Sequence, residues 1–337
     1  MIKNQEKHRI FKWNKWIITS ISIAFLFFTI IVFSYFKTGN DSTDGEYSLM
    51  FQRKYSVFAL NLPEQLTFAG EKVPLEYFDV RESLDRELLI NTYWQSQTLL
   101  FMKRAKRYFP EIEEILRKNG IPDDFKYLVL AESDLMNQVS PAGAVGIWQL
   151  LKGTAEDYGL EVNDIVDERY HFEKSANAAC KFINDSKNLF GSWTMAAAAY
   201  NIGRRGLARQ VNRQHQSNYY DLLFNDETSR YIFRLLAIKL ILENPEEYGF
   251  HLREKDLYQP IPTFEVKVDT SISNMALFAQ KFEINYKMLK YFNPWLRDTL
   301  LTNKNRKEYF IKIPEKGYRS YSKIIDQIEI DTTFVKN

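Results

Sequence analysis

Between Trp16 and Phe36 the chain carries no charged residue. At about 1.5 Å per residue a helix of this length spans roughly 30 Å, the thickness of a bilayer core. The segment 16–36 therefore reads as a single transmembrane anchor. Lys3, Lys7, Arg9, Lys12 and Lys15 precede it against one acid, Glu6. That charge bias makes 1–15 a basic cytoplasmic tail and puts everything after Lys37 on the outer side. A cleaved signal peptide fits less well, because the run is too long for its apolar region and no small-residue cleavage site follows. A buried soluble helix is the bland alternative, and the basic flank argues against it. Residues 37–79 read as a linker and irregular segment, polar from Gly39 to Glu46, with 77–80 extended.

Past this point the apolar residues fall at helical spacing. Leu84, Leu88, Leu89, Tyr93, Leu99 and Leu100 predict a helix over 83–107. Pro110 predicts the start of another, ended by Gly120. Pro122 with Asp123 and Asp124 opens the next, proline early and acids at the positive end. Further helices are expected at 147–157, 168–189, 192–201, 203–213 and 226–243. Residues 80–250 are therefore expected to form a mainly α domain. Alternation over 263–268 and 308–313 predicts two strands flanking two short helices, a β-α-α-β module at 260–315, and a charged, unstructured tail at 316–337.

Composition excludes several chemistries. Net charge is +2, from 45 basic and 43 acidic residues, so nothing argues for a nucleic-acid partner. The single cysteine, Cys180, rules out an intramolecular disulfide or a cysteine metal cage, and in its helical run it reads as a buried inert thiol. His8, His171, His215 and His251 have no metal-ligand spacing. No metal and no cofactor are expected.

Phe125, Leu128, Val129 and Glu132 lie at i, i+3, i+4 and i+7, so an acid terminates an apolar stripe. Burial, the negative helix end and a nearby Asp134 would each raise its pKa. A carboxyl protonated near neutrality is what a glycosidic leaving oxygen needs as general acid. On these grounds alone a solvated surface glutamate remains the commoner outcome.

The ordered set Glu132-Ser133, Gly146-Ile147-Trp148-Gln149 and Ala199-Tyr200-Asn201 resembles the lytic transglycosylases of peptidoglycan, most closely their membrane-bound type D branch. The resemblance covers roughly 80–245. It implies a lysozyme-like α-helical catalytic domain of the goose type. Carried over, Glu132 matches the catalytic acid and base. Ser133, Trp148, Gln149, Tyr200, Asn201 and Tyr231 match substrate-contacting positions, Tyr200 lying close to the glutamate and Tyr231 facing the sugar. Glu227 belongs to the same last motif with less support. Leu151-Lys152 and Arg204-Arg205 depart from the usual pattern without removing a reacting group. Trp148 is open between core and cleft. Arg204, Arg205, Arg209 and Arg213 are open between a solvated face and attraction to anionic wall polymers.

The resemblance further implies a lyase reaction. One carboxyl protonates the oxygen between N-acetylmuramic acid and N-acetylglucosamine, then deprotonates the C6 hydroxyl of the same muramoyl sugar to close a 1,6-anhydro ring. Its implied partners are peptidoglycan strands and proteins of the cell-wall machinery, in the periplasm at the inner membrane. A hydrolytic muramidase and a non-catalytic wall-binding scaffold are the alternatives. Residues 263–313 are weakly similar to a LysM module, through Phe278, Phe282, Leu289, Phe292, Asn293 and Pro294. The usual turn is missing at 272–275, so glycan binding and a spacer role both stand.

Overall fold

The structure is a computed structural model that describes residues 57–324 continuously, with Gly45, Leu49 and Asp326 besides. The anchor expected at 16–36 and most of the tail lie outside these residues. Among the described residues no helix is long and apolar enough to cross a membrane.

Of the segment 37–79 expected to be an irregular linker, residues 66–75 belong to the helical domain. A hairpin pairs β1 (Thr67–Phe68) with β2 (Glu71–Lys72). Leu66, Phe68, Val73 and Leu75 are buried in the main core. Two carboxylates anchor the hairpin. Glu71 accepts from the Trp193 and Thr194 amides at 2.7 and 2.8 Å, satisfying orphan donors at a helix start. Asp124 accepts from the Ala69 amide at 2.6 Å and from Lys239 at 2.8 Å. Its inward residues, Leu66 with Phe68 and Val73 with Leu75, form two i, i+2 pairs too short to predict strands, and Leu60 and Leu62 pack against the same core.

Helix α1 (Phe78–Tyr93) and α2 (Gln95–Lys118) break at Trp94, inside the single helix expected at 83–107. Only Tyr77 of the 77–80 stretch is extended; the helix starts at Phe78. Pro110 lies within α2 rather than at its start. Its missing amide costs about 3 kcal/mol. Burial of Met102 and Ala105 before it, and of Ile112, Ile115 and Leu116 after it, outweighs that at roughly 1.5–3 kcal/mol per large aliphatic side chain.

A 3-10 turn (Asp123–Phe125) leads into α3 (Lys126–Ser133). A second small hairpin, β3 (Gln138–Val139) with β4 (Val145–Gly146), precedes α4 (Lys152–Asp157). The helix expected from 147 therefore begins five residues later. Helices α5 (Phe172–Phe190), α6 (Trp193–Ile202), α7 (Arg204–Gln214) and α8 (Asp226–Glu243) follow close to the expected spans. Ser192 and Asn225 cap α6 and α8, each side-chain oxygen accepting an amide three residues on. Helix α6 is buried from Thr194 to Ala199. Its run of alanines lets α5 and α8 approach closely on both sides.

The C-terminal module pairs β5 (Thr263–Val268) antiparallel with β6 (Tyr309–Pro314), around α9 (Met275–Gln280) and α10 (Tyr286–Phe292). Its own core includes Met275, Leu289, Trp295, Leu296, Ile311 and Ile313, together with Val166 from the helical domain. The two are bonded main chain to main chain: the Asp167 amide donates to the Trp295 carbonyl at 2.9 Å, and the Arg297 amide to the Ile165 carbonyl at 2.8 Å. Lys312 pairs with Glu111 and Glu173, and Lys307 with Glu161 and Glu168. Of the tail expected to lack structure, 321–324 is helical.

Candidate active site

Helix α3 is buried on more than one stripe. Phe125 before it and Leu128, Val129 and Leu130 within it are fully buried, and Tyr127 nearly so. An all-round apolar surface is what holds so short a helix in a core. It ends at Asp134, whose left-handed conformation (φ 56°) turns the chain just past the acid, and Leu135 follows at φ 58°. Glu132 thus sits half-buried in the last turn of a helix packed into the core on several sides.

Tyr231 of α8 donates a hydrogen bond of 2.5 Å from its hydroxyl to Oε1 of Glu132. Among the described residues nothing bonds Oε2. Burial pushes the Glu132 carboxyl up to about 7. The Tyr231 bond pulls it down, the Glu227 carboxylate pushes it up and the Arg234 guanidinium pulls it down. The like-charged neighbour is therefore Glu227, not the Asp134 expected from sequence proximity. Burial and the Glu132 charge hold Tyr200 and Tyr231 well above the usual phenol range, so both stay protonated donors.

The other motif residues build the loop opposite. Ser133 is buried and donates from Oγ to the Ile147 carbonyl at 2.6 Å. Tyr200 donates to the next carbonyl, that of Trp148, at 2.6 Å. Arg169, bonded bidentately to Asp167, donates to the Gly143 carbonyl at 3.2 Å. Gly146 has φ 84°, and a Cβ there would lie 2.1 Å from the Arg169 carbonyl oxygen, so only glycine fits. Gln149, itself at φ 47°, turns its amide nitrogen back to the Gly146 carbonyl at 2.6 Å and the Gln138 carbonyl at 3.1 Å.

The expected substrate-contacting residues differ in their exposure. Trp148 is completely buried, with its indole N–H lacking a partner among the described residues, so it is core rather than cleft lining. Ser133 is a brace for the loop. Tyr231 is 1% exposed and its hydroxyl meets Glu132. Asn201 accepts from the Thr228 hydroxyl at 2.8 Å and ties α6 to α8. Gln149, Tyr200 and Asn201 keep partial exposure.

Sequence reasoning missed a buried ion-pair cluster between α1 and α8. Glu87 of α1 is 1% exposed and holds Arg230 at 2.6 Å and Arg234 at 3.9 Å. Arg234 in turn acts on Glu132. Glu227, Tyr231 and Arg234 stand at i, i+4 and i+7, and that spacing on α8 was the readable signal.

Residues 110–223 match the transglycosylase SLT domain model, and residues 264–317 match the model of the soluble lytic transglycosylase C-terminal LysM-like domain. The chain is 27% identical over 258 residues to the membrane-bound lytic murein transglycosylase D of Escherichia coli (strain K12), covering 74% of this chain and 55% of that protein. The protein of the same name from Escherichia coli O6:H1 (strain CFT073) matches to the same extent. A putative tributyltin chloride resistance protein of Alteromonas sp. (strain M-1) is 28% identical over 141 residues, 41% of this chain and 67% of its own length. The chain thus spans about half the length of the first two relatives.

Proposed function

We propose that this chain, which carries a transglycosylase SLT domain followed by a LysM-like C-terminal domain and is homologous to membrane-bound lytic murein transglycosylase D, is itself a peptidoglycan lytic transglycosylase. One observation carries the reading: a carboxyl poised near 7 by burial and gripped on one oxygen by a buried tyrosine. With Tyr231 on Oε1, the transferable proton belongs on Oε2.

In the proposed reaction Oε2 protonates the oxygen linking C1 of N-acetylmuramic acid to N-acetylglucosamine. That bond breaks, and the substrate's 2-acetamido group stabilises the developing cation. Glu132, now a carboxylate, takes the proton of the muramoyl C6 hydroxyl as its oxygen bonds to C1. The acid is regenerated, a 1,6-anhydro ring forms, and no water is consumed. An internal hydroxyl outcompetes water through its large effective concentration. A pKa near neutrality suits both half-reactions.

A hydrolytic reading has one observation in its favour. Glu227 is a second carboxylate whose charge raises the Glu132 pKa, and two carboxylates are what ordinary glycosidases use. Digestion of purified sacculi followed by mass analysis separates the readings. Anhydro ends support the proposal, reducing ends the muramidase, and absence of release a wall-binding scaffold. The proposal includes 16–36 as a single-pass anchor that holds the domain in the cell envelope, facing the wall. It also includes glycan contact by the LysM-like module, read out as retention of the full-length Glu132→Gln variant on sacculi.

A further inference from the structure

Residues 161–170 touch the C-terminal module on one side and the loop 143–150 on the other. On the module side Val166 meets Leu296 in an antiparallel bridge and is buried in the module's core. The main-chain bonds from Asp167 to Trp295 and from Arg297 to Ile165 flank that pair. The Arg297 guanidinium stands 4.1 Å from the centre of the Tyr170 ring. Glu161 accepts from Lys307 at 2.5 Å and from the Tyr309 hydroxyl at 3.0 Å. An exposed ion pair contributes little alone, but here main-chain, apolar and charged contacts converge on one short segment.

On the other side the link is a buried ion pair. Asp167 and Arg169 are both buried. Asp167 Oδ1 accepts from Arg169 Nε at 2.9 Å, and Oδ2 accepts from Nη2 at 2.7 Å. A guanidinium held bidentately in this way has a fixed plane, so the direction of its remaining nitrogen is fixed as well. That nitrogen, Nη1, donates to the Gly143 carbonyl at 3.2 Å and the Leu150 carbonyl at 3.5 Å, the two ends of the loop. Between them the Arg169 carbonyl occupies the space that a side chain at Gly146 would need. A buried pair of this kind is weak evidence for stability, because desolvation offsets the attraction. Its geometry, by contrast, is specific. Asp167 carries two constraints at once, its amide on the Trp295 carbonyl and its carboxylate on Arg169.

We infer that the C-terminal module is a working part of the candidate active site: through Asp167 it sets Arg169, a positioning residue that holds the loop 143–150 against the helix ending in Glu132. The loop meets that helix where Ser133, next to the acid, bonds the Ile147 carbonyl, and it meets Tyr200 at the Trp148 carbonyl. It also carries Gln149 at φ 47°. A non-glycine residue keeps that conformation only where its surroundings hold it. With the module loosened, Asp167 and Arg169 lose their fixed frame, the loop ends separate and Gln149 relaxes. This role differs from any glycan contact the module makes, which would act on binding alone. The effect on catalysis rests on the function proposed above; the brace itself rests on the bonds of residues 161–170.

Three variants of the full chain, held in detergent, test this. Arg169→Lys keeps the charge but not the fork. Val166→Asp puts a charge into the module's core, and Leu296→Ala trims the same contact without one, so the milder variant decides if the first fails to fold. Hydrogen exchange of the Val145, Gln149 and Leu150 amides, all bonded within the loop, should quicken roughly tenfold in each variant. On soluble peptidoglycan strands kcat should fall roughly 10–100-fold while KM changes less than about threefold. Arg169→Lys combined with Leu296→Ala should be no slower than the slower single variant, because both act along one path. Wild-type exchange in the loop of Leu296→Ala, a raised KM with unchanged kcat, or losses that multiply in the double variant would overturn the inference. Exchange needs no substrate, so it decides the brace even where the wild type cleaves nothing, a result that would sink the proposed activity alone.

Discussion

The Tyr231 hydroxyl and Oε1 of Glu132 are 2.5 Å apart, a donor on α8 gripping an acid at the end of α3. The bond fixes which carboxyl oxygen is available and offsets part of the burial that raises its pKa. Removing it in Tyr231→Phe should therefore do two things. The alkaline limb of the pH–rate profile should move above its wild-type position near 7, and the rate at the optimum should fall roughly 10–100-fold as the acid loses its orientation. A variant with an unshifted profile would count against the bond's role.

Glu132 also ties stability to pH. Its carboxyl titrates near 7 in the folded chain against an ordinary value of 4.5. Between these values the folded state binds more protons than the unfolded one. Stability contributed by the protonated form is thus fully present below about 4.5 and is lost as pH rises through about 7. Glu132→Gln removes the penalty. It should stabilise the protein by about 1–3 kcal/mol at pH 8 and leave it unchanged at pH 4, in urea unfolding at the two pH values.

Gly146→Ala puts a methyl group against the Arg169 carbonyl at a positive φ. The backbone must move, and with it the carbonyls that Ser133 and Tyr200 hold. A loss of about 2–4 kcal/mol is expected, together with lower activity, whereas Gly143→Ala meets no neighbouring atom and should cost about 1 kcal/mol from its φ alone. Thermal unfolding of the pair checks the ranking.

Glu87→Gln leaves Arg230 and Arg234 without their buried carboxylate. Breaking a fully buried pair costs about 3–5 kcal/mol, and the partial exposure of both arginines reduces this to about 2–3 kcal/mol. Because Arg234 acts on Glu132, the pH–rate profile should shift as well, a readout that mere loss of packing would not move. Urea unfolding and the profile of the same variant check both parts.

What was legible in the sequence follows the range of the interactions involved. Helix α8 shows its extent through its helical spacing and the stop before Pro245, both local signals. The β5 and β6 strands show theirs by alternation. The continuation of α2 through Pro110 was hidden, because tertiary burial overrides a local breaker. So was the placing of 66–75 in the core, which depends on Glu71 and Asp124 meeting partners far along the chain. At the candidate site, Glu132 could be singled out only by its motif set with Gly146–Gln149 and Ala199–Asn201, since its place at the end of an apolar stripe left a solvated glutamate the commoner outcome. The bracing by Ser133 and Tyr200, the burial of Trp148 and the Glu87–Arg230–Arg234 group could not, since each exists only when separate helices pack.

In the proposed reaction Glu132 acts first as acid and then as base toward the substrate's own hydroxyl. The most direct measurement is mass analysis of muropeptides released from purified sacculi by the wild type and by Glu132→Gln. The wild type should release 1,6-anhydromuramoyl ends, which lack the mass of one water, and the variant should release at least a thousandfold less. Reducing ends from the wild type, or undiminished release by Glu132→Gln, would contradict it.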